Sequence, residues 1–272
     1  KERRMQREQT NRMFYSVDVG LLHLLHLDLS PYWCRFGGCV SVDSCGFPDD
    51  WVRDDSSDDP DVRYDFAGFR EAILAFTRAD LAAVDRQRTP WVVVTAHYPM
   101  YETIDTSDAG NIAHVRQELD HGARGHASQT VGDKDGAPQP SKAQAISDFE
   151  PLLAEFAVDI FFAGHDHNYE VTWPVYNGKA AQKSYENPEA PIHICSGSAG
   201  PPEWDAFAPG SPDWSREPRL LVNSYSRLIL LNSSVAQFEQ VANDNGTVVD
   251  AFTITQTRSN RAAPFSGSSL VV

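Results

Sequence analysis

The sequence predicts an α/β fold in which helices pack on the faces of a parallel or mixed β-sheet. Two stretches carry this prediction, because in each of them a helical pattern is followed by a short strand. The first runs from a helix at 69–86 to a strand at 91–96, and the second from a helix at 147–157 to a strand at 158–163. Both strands are almost wholly apolar, which is typical of strands covered on two faces.

A β-hairpin is predicted to precede the first of these units. Residues 14–19 and 21–29 alternate in the manner of two strands, and Gly20 stands between them at the turn. The second strand holds His23 and His26 among leucines. Histidines in such strands are usually core residues with hydrogen-bonded rings, so we expect that role for both.

The two helices are predicted from their apolar spacing and their capping signals. In the second helix Ser147 and Glu150 form a capping-box pattern, and Pro151 follows in what would be the first turn, where its missing N–H costs least. The first helix has an apolar stripe with helical spacing, which consists of Phe69, Ile73, Phe76, Leu81 and Val84.

The remainder of the chain is predicted to be loops and antiparallel strands. The stretch 102–142 is rich in Asp, Gly, Ser and Ala, which is typical of a long surface loop. The C-terminal part has short strand patterns with turn signals between them, as antiparallel sheets do. These strands are expected at 192–194, 227–231, 236–241 and 248–255.

Composition excludes two classes of protein. The net charge of -15 argues against non-specific nucleic-acid binding, which needs basic patches that displace counterions. A membrane span is not expected either, since the sequence has no run of about 18 apolar residues. The first residues, Lys-Glu-Arg-Arg, contain no initiator methionine, so we expect a processed or truncated N-terminus.

The cysteines and two short motifs favour a secretory route. Asn232 and Asn245 each begin an N-x-Ser/Thr glycosylation triplet. The four cysteines are disulfide candidates with three alternative pairings; zinc is the competing interpretation, although no C-x-x-C pair is present. They are Cys34, Cys39, Cys45 and Cys195. The protein is therefore expected to be secreted, extracellular, or in a vacuole or lysosome.

Three histidines follow the two apolar strands and predict a metal site. His97 comes directly after the first strand, and His165 and His167 come after the second. Ligands of open α/β sheets bind beyond the carboxyl ends of the strands, and imidazole is a common ligand of zinc and iron. Two residues apart in extended backbone, His165 and His167 would point to the same side. Gly164 is expected to provide a backbone conformation that a larger residue would resist.

The alternative to a metal site is that the H-x-H spacing arose by chance and that His97 is an ordinary hydrogen-bonded residue at a strand end. What weighs against it is the sequence around these histidines. The segments WVVVTAHYPMY (91–101) and DIFFAGHDHNYEVTWPVYNG (159–178) resemble the V-x-x-H and G-H-x-H motifs of the calcineurin-like metallophosphoesterases, and most of all those of the purple acid phosphatases. The segment YSVDVGLLHLLHLD (15–28) and the closing strands also resemble that family, so the likeness spans roughly residues 12–255.

The resemblance implies a sandwich of β-sheets flanked by helices, of which this chain would hold the C-terminal half to two-thirds. Residues 1–12 would be a lead-in segment, 13–256 the C-terminal part of the catalytic domain, and 257–272 a flexible tail. Members of the family hydrolyse phosphate esters at a dinuclear centre in which iron is joined by zinc, manganese or a second iron. The phosphate ester would then be the partner of the site.

By motif, His97 and His165 would bind the second metal and His167 the iron. Glycine-rich residues 197–200 are expected to line the pocket; they do not form the nucleophile elbow of a serine hydrolase, because Ser196 occupies a position where that motif needs glycine.

The other motifs of the family are not found in the sequence. They are an Asp motif, G-D-x-x-Y and G-N-H-E/D, which supply the remaining ligands and a substrate-facing histidine. The sole Gly-Asp pair is Gly132-Asp133, and Gly136 stands where the tyrosine should be.

We therefore expect the missing N-terminal half to come from the same precursor, a separate chain or a partner, in a possible homo-oligomer or larger assembly. Otherwise the sheet would keep an open apolar edge. The alternative function is a non-catalytic scaffold or binding protein that retains the fold.

Overall fold

The computed structural model describes residues 14–33, 65–104 and 142–257 of the chain. The helices are α1 (Ser30–Trp33), α2 (Phe66–Ala83) and α3 (Lys142–Glu155). The strands are β1 (Phe14–Val19), β2 (Leu22–Leu27), β3 (Trp91–Thr95), β4 (Ile160–Ala163), β5 (Tyr169–Thr172), β6 (Val175–Tyr176), β7 (Lys179–Ala180), β8 (Ile192–Ser196), β9 (Ser215–Leu220), β10 (Ser224–Leu230), β11 (Val235–Ala242) and β12 (Val248–Thr255). In these described ranges, no helix has the length and apolar character that a membrane span requires.

The main sheet has seven strands in the order β1-β2-β3-β4-β8-β5-β9. Its centre is a parallel block of β2, β3, β4 and β8, while β1, β5 and β9 pair antiparallel with their neighbours. The α/β class with a mixed sheet is therefore confirmed. The predicted hairpin is confirmed too, since β1 and β2 pair over their whole length and Gly20 turns between them with φ of 59°.

Each face of the main sheet is covered by a different layer. Helices α2 and α3 bury Phe69, Ile73, Phe149 and Leu153 against one face in a single apolar cluster. A three-stranded antiparallel sheet, β10-β11-β12, packs on the other face through residues such as Phe238. The predicted sandwich flanked by helices is therefore the observed architecture.

Helix α3 begins five residues before the predicted start. It runs from Lys142, so Ser147 and Glu150 are interior residues and Pro151 lies well inside the helix. The capping-box interpretation is wrong, because the buried Glu150 carboxylate is used elsewhere: it accepts hydrogen bonds from the Tyr101 hydroxyl and the Asn177 backbone N–H.

Strand β8 was predicted to be antiparallel, and that prediction is wrong on one side. It pairs parallel with β4, from Ile160 beside Ile192 to Ala163 beside Cys195, and antiparallel with β5. Strands β5 and β9 were not predicted. Strand β5 is buried at all four positions and carries a glutamate, so it lacks the polar alternation of an ordinary strand.

One edge of the main sheet shows an apolar face. Tyr15, Val17 and Val19 of β1 are all exposed, and Val19 is 60% exposed. They lie beside Leu22, Leu24 and His26 of β2, on the face that carries the three-stranded sheet. Within the described residues β1 is the first strand of the main sheet, so its outer edge is the edge that the sequence analysis anticipated.

A buried ion pair fixes the alignment of β3 with β4. The Asp159 carboxylate, which is 0% exposed, accepts a hydrogen bond from the Val92 N–H at 2.7 Å, and the Asp159 N–H donates to the Val92 carbonyl at 2.9 Å. Arg86 pairs with the same carboxylate at 3.0 Å and also donates to the carbonyls of residues 156 and 157. Burial lowers the pKa of Arg86 to about 10, which leaves it charged at neutral pH.

Removing the charge of Arg86 should destabilise the fold. We expect Arg86→Met to cost about 3 kcal/mol in the free energy of urea unfolding, because it strands the buried Asp159 carboxylate. The exposed Arg88 provides the control, since Arg88→Met should change the free energy by less than about 0.5 kcal/mol. Equal costs for the two variants would contradict the role given to the ion pair.

His23 joins the hairpin to α2 in the manner expected for a core histidine. Its Nε2 lies 2.8 Å from Asp80 Oδ2 and its Nδ1 lies 2.9 Å from Asp18 Oδ1. Burial by itself lowers the pKa of His23, but the hydrogen bonds to Asp80 and Asp18 and their charges outweigh burial and raise it. His26 also matches the expectation, since its Nδ1 lies 3.0 Å from Thr95 Oγ1, but burial lowers its pKa.

The contribution of His23 to stability should therefore depend on pH. Since the folded-state pKa is raised, the stabilisation is complete below the unfolded value of about 6.5 and is lost as pH rises through the folded value. We expect the stability difference between wild type and His23→Gln to shrink over that rise in urea unfolding. His26→Gln should show the opposite slope, and a flat profile for His23→Gln would contradict the assignment.

Candidate metal site

The two apolar strands deliver histidines to one edge of the sheet. β3 and β4 are parallel neighbours, with Thr95 beside Phe162, so their carboxyl ends meet at the same edge. His97 and His165 each stand two residues beyond their strand. The Nε2 atom of His97 lies 3.2 Å from the Nδ1 atom of His165. The structure thus brings together two of the three histidines that were predicted to converge, and their role as metal ligands stays a prediction.

The separation of the two nitrogens fits a shared cation. Two imidazole nitrogens bound to one zinc-like ion at about 2.0–2.1 Å each stand roughly 3.0–3.4 Å apart. In the metal-free protein the same 3.2 Å contact is an N–H···N hydrogen bond, with the donor set by the tautomers. The contact thus brings two potential ligand nitrogens within the separation that a shared cation requires.

Both rings are held in the neutral form that binds metals. Burial lowers the pKa of His165 to about 4, with a further contribution from His97, and burial also lowers the pKa of His97. The ring of Tyr98 packs against His165 with centroids 4.3 Å apart. Burial therefore favours the neutral form in both histidines, and this is the form in which imidazole binds metals.

His167 follows the pair on a bent backbone, and among the described residues it does not complete a group of three side chains arranged to hold a metal ion. The expectation of extended backbone is wrong: His165 has φ of 64°, and Asp166 and Asn168 donate backbone hydrogen bonds to the carbonyls two residues before them. The His167 N–H donates to Asp205 Oδ2 at 2.7 Å, which anchors this bend.

The described donors fit part of a metal centre. Across residues 14–33, 65–104 and 142–257, no group of three or more histidine, cysteine, aspartate or glutamate side chains is arranged to hold a metal ion. Two imidazole nitrogens at 3.2 Å suit one cation with open coordination positions. They do not by themselves form the dinuclear centre that the resemblance implies.

The glycine on which the site depends is Gly197 and not Gly164. A Cβ added to Gly197 would lie 1.9 Å from the carbonyl oxygen of Asp166, whereas one added to Gly164 would meet only the His97 carbonyl at 4.0 Å. Gly164 also has no left-handed φ, so the special conformation predicted for it belongs to His165. Gly197 lies beneath the histidine bend, while the neighbouring Ser198 is buried in hydrogen bonds with Ser224 and Gln240.

A set of charged residues behind the histidines was missed by the sequence analysis. Asp166 is buried, its Oδ2 has no hydrogen-bond partner, and burial followed by the charge of Glu102 raises its pKa. Burial raises the pKa of Glu170 to about 7, although hydrogen bonds from Thr103 oppose the rise. Lys142 pairs with Glu102. Asp166, Glu170 and Glu102 each lie within five residues of a predicted histidine ligand, which was the available signal.

Other predicted sites have different outcomes. Cys195 is a free, buried thiol whose Sγ lies 3.1 Å from the Gly164 carbonyl, so it is not half of a disulfide in this structure. Asn232 and Asn245 are exposed, and glycosylation there stays a prediction. The remaining disulfide candidates, Cys34, Cys39 and Cys45, lie outside the described residues, as do most of the predicted loop and the tail.

The two packed sheets with helices on the outer face form a mixed α/β fold that matches a solved purple acid phosphatase. Comparison with known proteins shows similarity to purple and acid phosphatases. Residues 190–251 match the family model described as iron/zinc purple acid phosphatase-like protein C. The chain is 34% identical over 187 residues to acid phosphatase type 7 of Danio rerio, covering 65% of this chain and 38% of that protein.

Two further proteins show the same relationship. Probable inactive purple acid phosphatase 1 of Arabidopsis thaliana is 28% identical over 185 residues, which cover 65% of this chain and 25% of that protein. The solved structure of purple acid phosphatase PPD1 from yellow lupin seeds matches with a TM-score of 0.62 at 22% identity, covering 94% of this chain and 35% of that one. The chain is thus related to the purple acid phosphatases over their C-terminal part, and spans about a third of the length of the relatives it matches.

The two glycines give a matched test of the site. Gly197→Ala should destabilise the protein by more than about 2 kcal/mol in urea unfolding, because its Cβ cannot avoid the Asp166 backbone. It should also shift the imidazole NMR signals of His97 and His165. Gly164→Ala should cost less than about 1 kcal/mol. A mild effect of Gly197→Ala, comparable to that of Gly164→Ala, would contradict the close packing.

Proposed function

We propose that this chain forms the C-terminal part of a phosphoesterase that uses metal ions to hydrolyse phosphate esters. The observation that carries the proposal is the His97–His165 contact of 3.2 Å at the carboxyl edge of the main sheet. The similarity to purple and acid phosphatases supports the reaction class. Residues 13–256 would belong to the catalytic domain, with 1–12 as a lead-in segment and 257–272 as a tail.

The chain's own residues would contribute as follows. His97 and His165 would hold one cation through their unprotonated nitrogens. His167 would face a second cation, which would be iron by the resemblance to the family. A cation so held would act as a Lewis acid toward a phosphoryl oxygen. Tyr98 would keep the His165 ring in place, since the two rings pack with centroids 4.3 Å apart.

The ligands that three histidines cannot provide would come from protein outside residues 13–256. The Asp, G-D-x-x-Y and G-N-H motifs that would supply them are not found in the sequence. A secretory location, glycosylation at Asn232 and Asn245, and assembly with the chain that carries these ligands all form part of the proposal. The similarity to acid phosphatases supports the reaction class directly, and it supports these three properties only indirectly.

A non-catalytic scaffold is the second candidate. It is favoured by the name of one relative, probable inactive purple acid phosphatase 1, and by the incomplete donor set among the described residues. The two candidates differ in metal content. An enzyme requires bound metal in the purified natural protein, whereas a scaffold does not.

Zinc titration of the 272-residue chain tests the histidine pair. We expect calorimetry to show zinc binding by the wild type and an affinity at least about tenfold lower for His165→Ala, because one of two converging nitrogens is lost. His23→Gln removes a histidine that lies beside Val92 near the start of β3, away from the carboxyl ends of the strands, and should leave zinc affinity unchanged. Equal affinity of wild type and His165→Ala would rule out the pair.

The phosphoesterase itself is tested by measuring the hydrolysis of p-nitrophenyl phosphate by the full natural protein. A metal-containing protein whose hydrolysis falls in His165→Ala supports the phosphoesterase. A natural protein that is folded after purification but contains no metal and hydrolyses no substrate supports the scaffold instead.

A further inference from the structure

We infer that Glu170 is a positioning residue whose carboxylate ties together the two loops that carry His97 and His165, and so fixes the separation of their rings. The inference rests on the proposed function only for the role of the histidine pair as metal ligands. The positioning itself concerns the protein without metal and can be tested in that state.

The contacts of Glu170 join two distant segments. Glu170 lies in β5, three residues after His167, and is 1% exposed. Its Oε1 accepts a hydrogen bond from the Thr103 N–H at 2.8 Å, and its Oε2 accepts one from the Thr103 hydroxyl at 2.7 Å. Thr103 lies six residues after His97. The two bonds therefore link the end of one histidine loop to the strand that follows the other.

These bonds are strong compared with the others that hold the loop. Hydrogen bonds to an ionised carboxylate are roughly twice as strong as those between neutral groups. Backbone bonds complete the attachment: Gly164 N–H donates to the His97 carbonyl at 3.0 Å, and Ala208 N–H donates to the Thr103 carbonyl at 2.7 Å. The loop that starts at His97 is thus fixed at its first residue and again at Thr103.

Arg219 extends the same connection. Its Nη1 donates to Thr103 Oγ1 at 3.1 Å, so that the hydroxyl accepts from Arg219 while it donates to Glu170. The guanidinium also favours the ionised form of Glu170. A charged group from β9 therefore supports the carboxylate across Thr103, and the connection spans three segments of the chain.

The same contacts exclude a direct chemical role for Glu170. Each carboxylate oxygen accepts a hydrogen bond from Thr103, and the side chain is 1% exposed. Glu170 is thus not a metal ligand or a proton-transfer group in this arrangement. Its effect on the site passes through the loop that it holds.

A pair of threonine substitutions isolates this effect. Thr103→Val deletes the hydroxyl that bonds Glu170. Thr172→Val is the matched control. Thr172 is also buried and lies in β5 with Glu170, but its hydroxyl accepts the His193 backbone N–H at 3.0 Å. Both variants lose one buried hydroxyl, but only Thr103 touches a histidine loop. Glu170→Gln is the third variant, which keeps the shape and removes the charge.

The first readout is the imidazole NMR spectrum of the metal-free protein. Measurements are made at pH 8, above the pKa of about 7 of Glu170. We expect Thr103→Val and Glu170→Gln to shift the His97 and His165 signals and to speed hydrogen exchange of the Thr103 amide. Thr172→Val should leave these signals in place even where it lowers stability. Unmoved signals in both Thr103→Val and Glu170→Gln would overturn the inference.

The second readout is zinc affinity. Thr103→Val and Glu170→Gln should weaken zinc binding about threefold to tenfold or more, as loss of supporting contacts around metal ligands does, and Thr172→Val should not. If the imidazole signals shift as expected but wild type binds no zinc, the proposed function fails and the positioning role stands. If zinc binds to wild type and to every variant equally, the positioning role fails and the proposed function stands.

Discussion

The alignment of β3 with β4 is the constraint on which the rest of this structure depends. Asp159 bonds both backbone groups of Val92, so the two strands pair with Val93 opposite Ile160 and Thr95 opposite Phe162. A shift of one residue would turn every side chain of a strand to the other face and move its end by about 3.3 Å. The 3.2 Å contact between His97 and His165 tolerates no such shift, so a buried ion pair at the opposite end of the strands governs the geometry of the site.

The histidine bend is shaped by packing more than by the residues that carry the chemistry. Gly197 approaches the Asp166 carbonyl too closely for any side chain, and Asp205 takes the His167 N–H. Burial sets the electrostatic character of the site: it favours neutral imidazoles at His97 and His165 and raises the pKa values of Asp166 and Glu170.

Much of the fold could be predicted from the sequence, and the exceptions have physical causes. The apolar runs before His97 and His165 predicted buried parallel strands, and the meeting of those two side chains followed from them. Helix α3 begins at Lys142, earlier than the pattern at Ser147 predicted, and its buried Glu150 bonds Tyr101 and does not cap the helix start. Strand β5 was missed because all of its residues are buried, including Glu170, and periodicity cannot reveal a strand with two covered faces. The role of Gly197 depends on a contact between residues far apart in sequence, for which local patterns hold no signal.

The exposed face of β1 makes the colloidal behaviour of the protein depend on ionic strength. Tyr15, Val17 and Val19 offer a short apolar ladder on an edge strand, a surface through which sheets of separate molecules can stack. The net charge of -15 keeps such molecules apart in dilute buffer. Because added salt shortens the range of that repulsion to about 10 Å at 0.1 M and about 3 Å at 1 M, concentrated salt favours self-association and dilute buffer favours dispersion.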